Sequence, residues 1–500
     1  MTKNVLLLGC AYPPELPYFT RGVARAGARV FAVDQVPESH LPQIVRESLS
    51  GYCQVPSLFG EEAAFNAVMK WAGSATFDRV ESLWEPCVLL AARLREAFDV
   101  PGMRYEQVVR FRDKDKMKQA VADAGLRTPR HQRANNGKEC FDAAEQVGFP
   151  ICLKPVAGAG SENTFRVDST RDMERALQKA GHDREYNVEE FIEAEEYTFD
   201  TICVDGRIVY ENISWYRPRP LVGRSVEWIS PQTVTLRDIE RPEFDAGRLL
   251  GENVLKALGH DTGFTHMEWY LKSDGEAVFG EIAARPPGAH TVDTMNFASD
   301  IDLFTGWAEA VVNGAFPFDF ERLYNCAIIF KRAQGQGIIQ RIEGLDRILA
   351  SFGEHIAAIE LLPVGAHRRD WVKTLLSDGF VFVRNSRNPV SGLTKAEVRK
   401  LFTGRSKQWS SGKVFQGVIG EIDSAEFVWL AWAIFDMSPK DLLTRMKQEI
   451  FRGEMKRPIV VKSSDECIDV VQKTEAALCV AAESSARSLP AGVEILPVVD

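Results

Sequence analysis

The sequence predicts a multidomain chain built of α/β and α+β segments. Three observations carry that expectation. The 500 residues, 45% of them hydrophobic and 26% charged, suffice for about three or four domains at roughly 150 residues each. Residues 1–110 alternate strand-like and helix-like stretches, the βαβ signal of a parallel sheet covered by helices. From residue 111 onward, hairpins and helices come in blocks instead.

In chain order, "NVLLLG" is a short apolar run ending at Gly9, "YFTRGVARAG" has helical spacing, and "RVFAVD" is a strand ending in an acid. "VESLW" followed by the amphipathic "PCVLLAARLREAFDV" repeats the unit. No G-x-G-x-x-G follows the first strand, so a dinucleotide site is poorly supported. "DKDKMKQAVADAG" reads as a charged helix closed by Gly125, and "FPICLKPVAGAGSENTFRVD" as two strands flanking a Gly-rich loop. "YNVEEFI" is a strand, and "EYTFDTICVDGRIVYENISWY" is a hairpin turning at Asp205-Gly206. "HMEWYLKSDGEAVFGEIAARPPGAH", residues 266–290, is a second hairpin turning at Ser273-Asp274-Gly275. Residues 325–385 are α+β, with "NCAIIFKR" and "DGFVFVR" as strands; "NSRNPVSG" (385–392) reads as a linker, and a mixed α/β segment runs to Asp500. The expected divisions are therefore 1–110, 111–200, 201–385 and 386–500.

Composition excludes several classes. A net charge of -10 argues against a broad nucleic-acid footprint, though a few local Lys and Arg residues can still hold a small anion. No run approaches the roughly 20 apolar residues of a membrane span. "VLLLGCA" resembles a lipoprotein cleavage box ending at Cys10, but the run Val5 to Leu8 is shorter than a secretory core of about 7–15 residues. It reads as a buried first strand. The 9 cysteines are scattered without a C-x-x-C pair, which fits a reducing, cytoplasmic setting.

Four stretches carry chemistry. Lys154 ends an apolar strand, and Gly158, Ala159, Gly160 and Ser161 follow. Small residues let backbone N–H groups approach an anion, and a strand-end lysine adds a point charge; a solvated surface hairpin is the other reading. Lys114 opens a charged helix, which read alone is a solvated charged face. Glu189 and Glu196 bracket Phe191 and Ile192 on a segment that can offer backbone groups to an adenine and a carboxylate to a ribose; an acidic surface loop is the other reading. Glu268 and Glu281 can share one face of the second hairpin, an arrangement that is costly unless a cation lies between them. Mg²⁺ takes one or two carboxylates plus phosphate oxygens in this way. Arg285 follows four positions later, within reach of a phosphoryl group or a substrate carboxylate.

Together, "DK" opening a helix that ends "AGLRTPR", then "FPICLKPVAGAGS", "VEEFIEAEEYTFD" and "HMEWYLKSDGEAVFGEIAARPPG" resemble the motif series of the ATP-grasp superfamily, over roughly residues 1–385. The resemblance implies an ATP-grasp fold preceded by a βαβ domain. By position, Lys114 and Lys154 match the lysines that contact ATP phosphates, and Gly158, Gly160 and Ser161 match the lid. Glu189 matches the residue near the adenine amino group, with Phe191 and Ile192 lending backbone contacts, and Glu196 matches the ribose carboxylate. Glu268 and Glu281 match Mg²⁺ ligands, and Arg285 matches the basic residue near the reacting phosphate. Many members carry E-x-N, whereas here Ala283 stands in the Asn position. This variant, with His266 two residues before Glu268, resembles the L-amino-acid (dipeptide) ligase branch. His266 reads equally as a substrate contact or as a hydrogen-bonded core histidine.

The resemblance implies an ADP-forming carboxylate–amine ligase using ATP and Mg²⁺ on small-molecule acid and amine substrates. Two alternatives stand beside it: an ATP-grasp enzyme using another acid or nucleophile, and an ATP-binding scaffold with an anion-sensing tail. Arg217, Arg219 and Trp215, in "ENISWYRPRPLVGRSVEWISPQTV", are candidates for the substrate side. The tail, 386–500, resembles part of phosphate-type periplasmic binding proteins but lacks their Ser-Gly-Thr loop. A packing or assembly role is expected for it, with Arg405, Lys407 and Lys413 solvated. A homo-oligomer is one option for the assembly.

Overall fold

The apolar run after Asn4 forms β1 (Asn4–Leu8), whose last four residues are buried. It is the centre of a parallel sheet with β2 (Arg29–Asp34), β3 (Leu49–Gln54) and β4 (Arg79–Glu81), in the order β3-β2-β1-β4. Helix α1 (Leu16–Arg25) connects β1 to β2, α2 (Glu61–Ala72) connects β3 to β4, and α3 (Val88–Phe98) follows β4. Leu6, Val33, Val68, Val80 and Leu94 meet in the core between sheet and helices. The computed structural model describes residues 2–156, 164–371, 379–383, 393–404, 414–422, 424–435, 437–451, 455–474, 477–480 and 498–499.

The chain divides into two compact units. The first comprises Met1–Val292, Leu303–Asp319 and Arg369–Ser377, and includes the βαβ sheet above. Its next part begins with α4 (Lys114–Asp123), capped by Asp113, whose carboxylate accepts from the Asp115 and Lys116 amides at 3.0 and 3.2 Å. An antiparallel sheet follows, in the order β5 (His131–Ala134), β8 (Tyr186–Glu190), β6 (Ile151–Pro155), β7 (Phe165–Val167). Helices α5 (Glu139–Val147) and α6 (Thr170–Ala180) pack on one face of it around Leu153, Leu177 and Val188.

A second antiparallel array holds β9 (Glu195–Val204), β10 (Arg207–Arg217), β11 (Gln232–Thr235), β12 (Gly263–Leu271) and β13 (Ala277–Ala283), in the order β13-β12-β9-β10-β11. The expected Asp205-Gly206 turn joins β9 to β10, with φ of 49° and 73°. Positive φ at both central residues suits the right-handed twist of the strands. Helix α7 (Pro242–Leu258) covers this array through Gly247 and Gly251, where an added Cβ would stand 2.2 Å from Trp269 and from Phe199.

The second unit comprises Asp293–Asp302, Phe320–Arg368 and Asp378–Asp500. In it, β14 (Cys326–Phe330), β15 (Ile356–Leu361) and β16 (Gly379–Val383) pair antiparallel in the order β14-β16-β15. Two short strands, β17 (Leu393–Thr394) and β21 (Val498–Val499), pair parallel. A small parallel sheet, β19 (Ile459–Val461), β18 (Gln416–Gly420), β20 (Ala477–Cys479), packs with surrounding helices around Phe402, Phe415, Phe427 and Leu442. Arg405, Lys407 and Lys413 lie outside the described residues. Among the described residues, no helix is long and apolar enough to cross a membrane.

Candidate active site

The β12–β13 hairpin sets two carboxylates side by side. Glu268 and Glu281 are direct cross-strand partners, and a bulge immediately follows, since Trp269 pairs with Phe279. Gly280 is the extra residue; a Cβ there would lie 2.7 Å from the Glu268 carbonyl oxygen. The turn at Gly275, with φ of 87°, is the Ser-Asp-Gly turn expected from sequence.

A cleft of about 760 Å³, counting its open mouth, has both carboxylates in its wall together with Lys114, Lys154, Glu189, Phe191, Ile192 and Glu196. With Arg219, also in the wall, nine of the sequence-predicted residues therefore meet in one place. Lys114, at the start of α4, donates to Glu281 across 2.7 Å. That cation holds the Glu281 carboxyl down at about 2, and Glu281 in turn raises the lysine.

Glu189 is 2% exposed and held between two cations. Lys154 Nζ lies 2.7 Å from Oε2, Lys118 Nζ contacts Oε1, and the Asn187 amide donates to Oε1 at 2.7 Å. Burial alone would raise this carboxyl, but Lys118 and Lys154 outweigh it and hold Glu189 well below the usual carboxylate range. Burial also opposes the charge on Lys154, yet Glu189 keeps that lysine protonated, while Lys118 is pushed down to about 8. Lys118 was not singled out from the sequence. Its signal was present: it stands four residues after Lys114, on the same helical face.

Glu196 accepts from Arg219 Nε at 3.0 Å, and Arg219 also donates to the Ile192 carbonyl at 2.7 Å. Burial, then the charge of Glu268, push the Glu196 carboxyl up to about 7 despite Arg219. The Arg219 guanidinium stacks over the rings of Phe191 and Tyr270, 5.1 and 5.0 Å from their centroids. Arg219 thus belongs to the cleft wall beside Glu196. Trp215 donates instead to Glu195 at 2.8 Å, and Arg217 lies over the Trp215 ring. The Phe191 amide donates to the Pro150 carbonyl at 3.1 Å.

Besides Trp215 and Arg217, the expected residues Arg285 and His266 stand back from the cleft wall. Arg285 is bound through Nε to Glu85 at 2.6 Å and through a terminal nitrogen to the Pro286 carbonyl at 2.7 Å. Arg112 grips the other oxygen of Glu85. The spacing from Glu281 brought Arg285 near the site but could not foretell its acidic partner, which lies 200 residues away in sequence. His266 contacts Asp200 through Nδ1 at 2.6 Å, with Nε2 3.8 Å from Glu268. Burial would lower its pKa, but Asp200, and then Glu268, raise it to about 9. Gly158, Gly160 and Ser161 lie outside the described residues.

No protein-family model matches the chain. The L-arginine-specific L-amino acid ligase of Bacillus subtilis is 28% identical over 219 residues, which are 42% of this chain and 52% of that protein. The chain therefore spans about half the length of that curated relative. Among solved structures, an L-amino acid ligase from Bacillus licheniformis matches with a TM-score of 0.61 at 20% identity, covering 77% of this chain and 93% of that one. An N5-carboxyaminoimidazole synthase from Aspergillus clavatus, solved with ADP and 5-aminoimidazole ribonucleotide, matches with a TM-score of 0.58 at 16% identity over 77% of this chain and 94% of its own. The fold of this chain is the ATP-grasp fold of those ligases, as the order of its motifs predicted.

Proposed function

We propose that the chain is an ATP-dependent, ADP-forming ligase that activates a carboxylate as an acylphosphate and joins it to an amine, with an amino acid as the amine. The observation that carries this reading is the meeting of Lys114, Lys154, Glu189, Glu196, Glu268 and Glu281 in one cleft of an ATP-grasp fold. In the reaction, a substrate carboxylate oxygen attacks the terminal phosphorus of ATP and the bond to ADP breaks. The amine then attacks the acyl carbon, phosphate leaves with the C–O bond electrons, and the amine gives up a proton. This chemistry needs positioning and neutralisation of charge more than a strong acid or base.

Lys114 and Lys154 neutralise the phosphates, and Glu196, held by Arg219, takes the ribose. Phe191 and Ile192 flank the adenine. Glu268 and Glu281 are hard oxygen donors on adjacent strands, which suits Mg²⁺. Among the described residues, no group of three or more His, Cys, Asp or Glu is arranged to hold a metal alone. The fit is therefore to an ion completed by phosphate oxygens, with Glu268 and Glu281 as its protein ligands. Ala283 adds no side-chain ligand. When bound, Mg²⁺ would polarise the phosphate oxygens and screen their charge. Until nucleotide arrives, Lys114 serves as the counter-ion of Glu281. Gly158, Gly160 and Ser161 keep their sequence-based role as a lid, which must exclude water because an acylphosphate hydrolyses. Arg285, tied to Glu85 beside the cleft, keeps its sequence-based role as the basic residue near the reacting phosphate. The tail, 386–500, serves packing or assembly.

ADP release across a panel of amino-acid pairs, with mass spectrometry of the products, tests the reading. At least one pair should release ADP well above the ATP-only rate. Glu281→Ala should lower turnover by about a hundred- to a thousandfold. Folded protein that binds ATP yet releases no ADP with any pair would overturn the ligase assignment. Saturable heat on titrating the chain with inorganic phosphate, undiminished by bound ATP, would overturn the role given to the tail.

A further inference from the structure

Behind the cleft wall lies a buried polar chain that the proposed reaction does not itself require. Asp200, on β9, has no exposed surface and is the direct cross-strand partner of His266 on β12. Its Oδ1 meets His266 Nδ1 at 2.6 Å. Its Oδ2 accepts from the Thr198 hydroxyl at 2.6 Å and from the Asn212 amide at 3.1 Å. Asn212 in turn donates to the Ser214 hydroxyl at 3.0 Å. Asp200 is thus clamped by its own strand and by β10, and it fixes the plane of the imidazole. The other ring nitrogen, Nε2, faces Glu268 Oε1 at 3.8 Å. The Tyr216 hydroxyl donates to that same oxygen at 3.3 Å. Both contacts fall on Oε1, and neither involves Oε2. Asp200 and His266 do not line the cleft, whereas Glu268 does.

Such a chain is a poor way to stabilise a sheet. Replacing a buried charged pair by apolar residues of similar volume is often neutral or stabilising, so folding alone gives no reason to keep Asp200 opposite His266. Its geometry does give one: the two contacts that reach Glu268, from His266 and from Tyr216, both end on one oxygen of a carboxylate that opens onto the cleft. We propose that Asp200, acting through His266 and assisted by Tyr216, is a positioning residue that pins Oε1 of Glu268 and so presents Oε2 to the metal–phosphate group. The proposal rests on the reading of Glu268 as a Mg²⁺ ligand.

The test measures two dissociation constants on the full-length protein by calorimetry: that of ADP in excess EDTA, and that of Mg²⁺ for the ADP-saturated protein. Asp200→Asn keeps the size of the side chain. It should leave the metal-free ADP constant within about twofold and weaken Mg²⁺ by about 10- to 100-fold, the usual cost of losing a residue that orients a metal ligand. Tyr216→Phe should show a smaller loss in the same direction. If Asp200→Asn does not fold, His266→Gln reads the same step, since it breaks the link to Glu268 while keeping a polar side chain. Mg²⁺ binding within twofold of the unaltered protein would overturn the proposal. So would an equal loss of metal-free ADP binding, which marks a merely structural role. If the unaltered protein binds ADP no better with Mg²⁺ than without it, the metal reading of Glu268 fails and this proposal fails with it. Tight Mg²⁺ binding in both the unaltered and substituted proteins sinks only the positioning role.

Discussion

At the residue scale, two histidines in one unit are driven apart by their surroundings. His266 has Asp200 and Glu268 beside it and is pushed up to about 9. His260 has no carboxylate partner: its Nε2 faces the Gly263 carbonyl at 3.4 Å, its Nδ1 has no hydrogen-bond partner among the described residues, and burial pushes it down from 6.5 to about 4. The unfolded chain therefore binds this proton at a higher pH than the folded chain. The stability that a neutral His260 allows is fully present above pH 6.5 and is lost as the pH falls towards 4, by on the order of 3 kcal/mol. His260→Gln should flatten this part of the pH dependence, read as the urea midpoint between pH 7 and pH 4. Equal slopes in the two proteins would show that His260 is not held neutral. The same contrast explains how much of the site could be read in advance. Lys114, Lys154, Glu268 and Glu281 were legible because local features place them: a helix start, a strand end, a hairpin. Asp200, Tyr216 and the Glu85 partner of Arg285 were not, because their contacts depend on strand register and on pairings distant in sequence.

At the scale of elements, α7 and the β9–β12 strands fit because two glycines let helix and sheet approach. Gly251 faces Phe199 and Gly247 faces Trp269, both rings almost fully buried. Two effects compete in Gly251→Ala. Alanine gains about 1 kcal/mol of helix propensity over glycine. Its Cβ, however, would stand 2.2 Å from a Phe199 ring carbon, and forcing extra volume into a packed core typically costs about 1–3 kcal/mol. The ring is enclosed by the α7 core and cannot swing into solvent, so the clash should win. The expected result is a lower urea midpoint for Gly251→Ala; a midpoint at or above that of the unaltered chain would mean that α7 shifts freely over the sheet. No sequence pattern announced this contact, since glycine in a helix reads only as a weak position. Hairpins were easier to read: Asp205, Gly206 and Gly275 take up positive φ, and both turns form where expected. Strand β5, His131–Ala134, was not foreseen, because "HQRA" has neither alternation nor an apolar run and becomes a strand only by pairing with β8.

For the whole molecule, the question is which part of the chain the nucleotide requires. Every described residue in the wall of the candidate cleft lies between Lys114 and Glu281, all within the first unit. The segment 398–480 has a core of its own, in which Phe402 is fully buried against Phe415, with ring centroids 4.9 Å apart. None of the motifs on which the nucleotide reading rests falls after residue 290, whereas the second unit takes in Asp293–Asp302 and Phe320–Arg368 as well as the tail. Phe402→Ala removes a ring from the tail's core and should cost about 3–5 kcal/mol there. It should leave the ATP dissociation constant within about twofold, because no cleft residue is touched. Saturating ATP, at a hundred times its dissociation constant, should stabilise whatever unfolds together with the cleft by about 2.7 kcal/mol. Calorimetric melting of both proteins, with and without ATP, reads these effects together. The substitution should lower a transition in both conditions, and the ATP increment should be the same in the two proteins. If Phe402→Ala weakens ATP binding tenfold or more, then the tail takes part in the nucleotide site, and a role confined to packing or assembly is wrong.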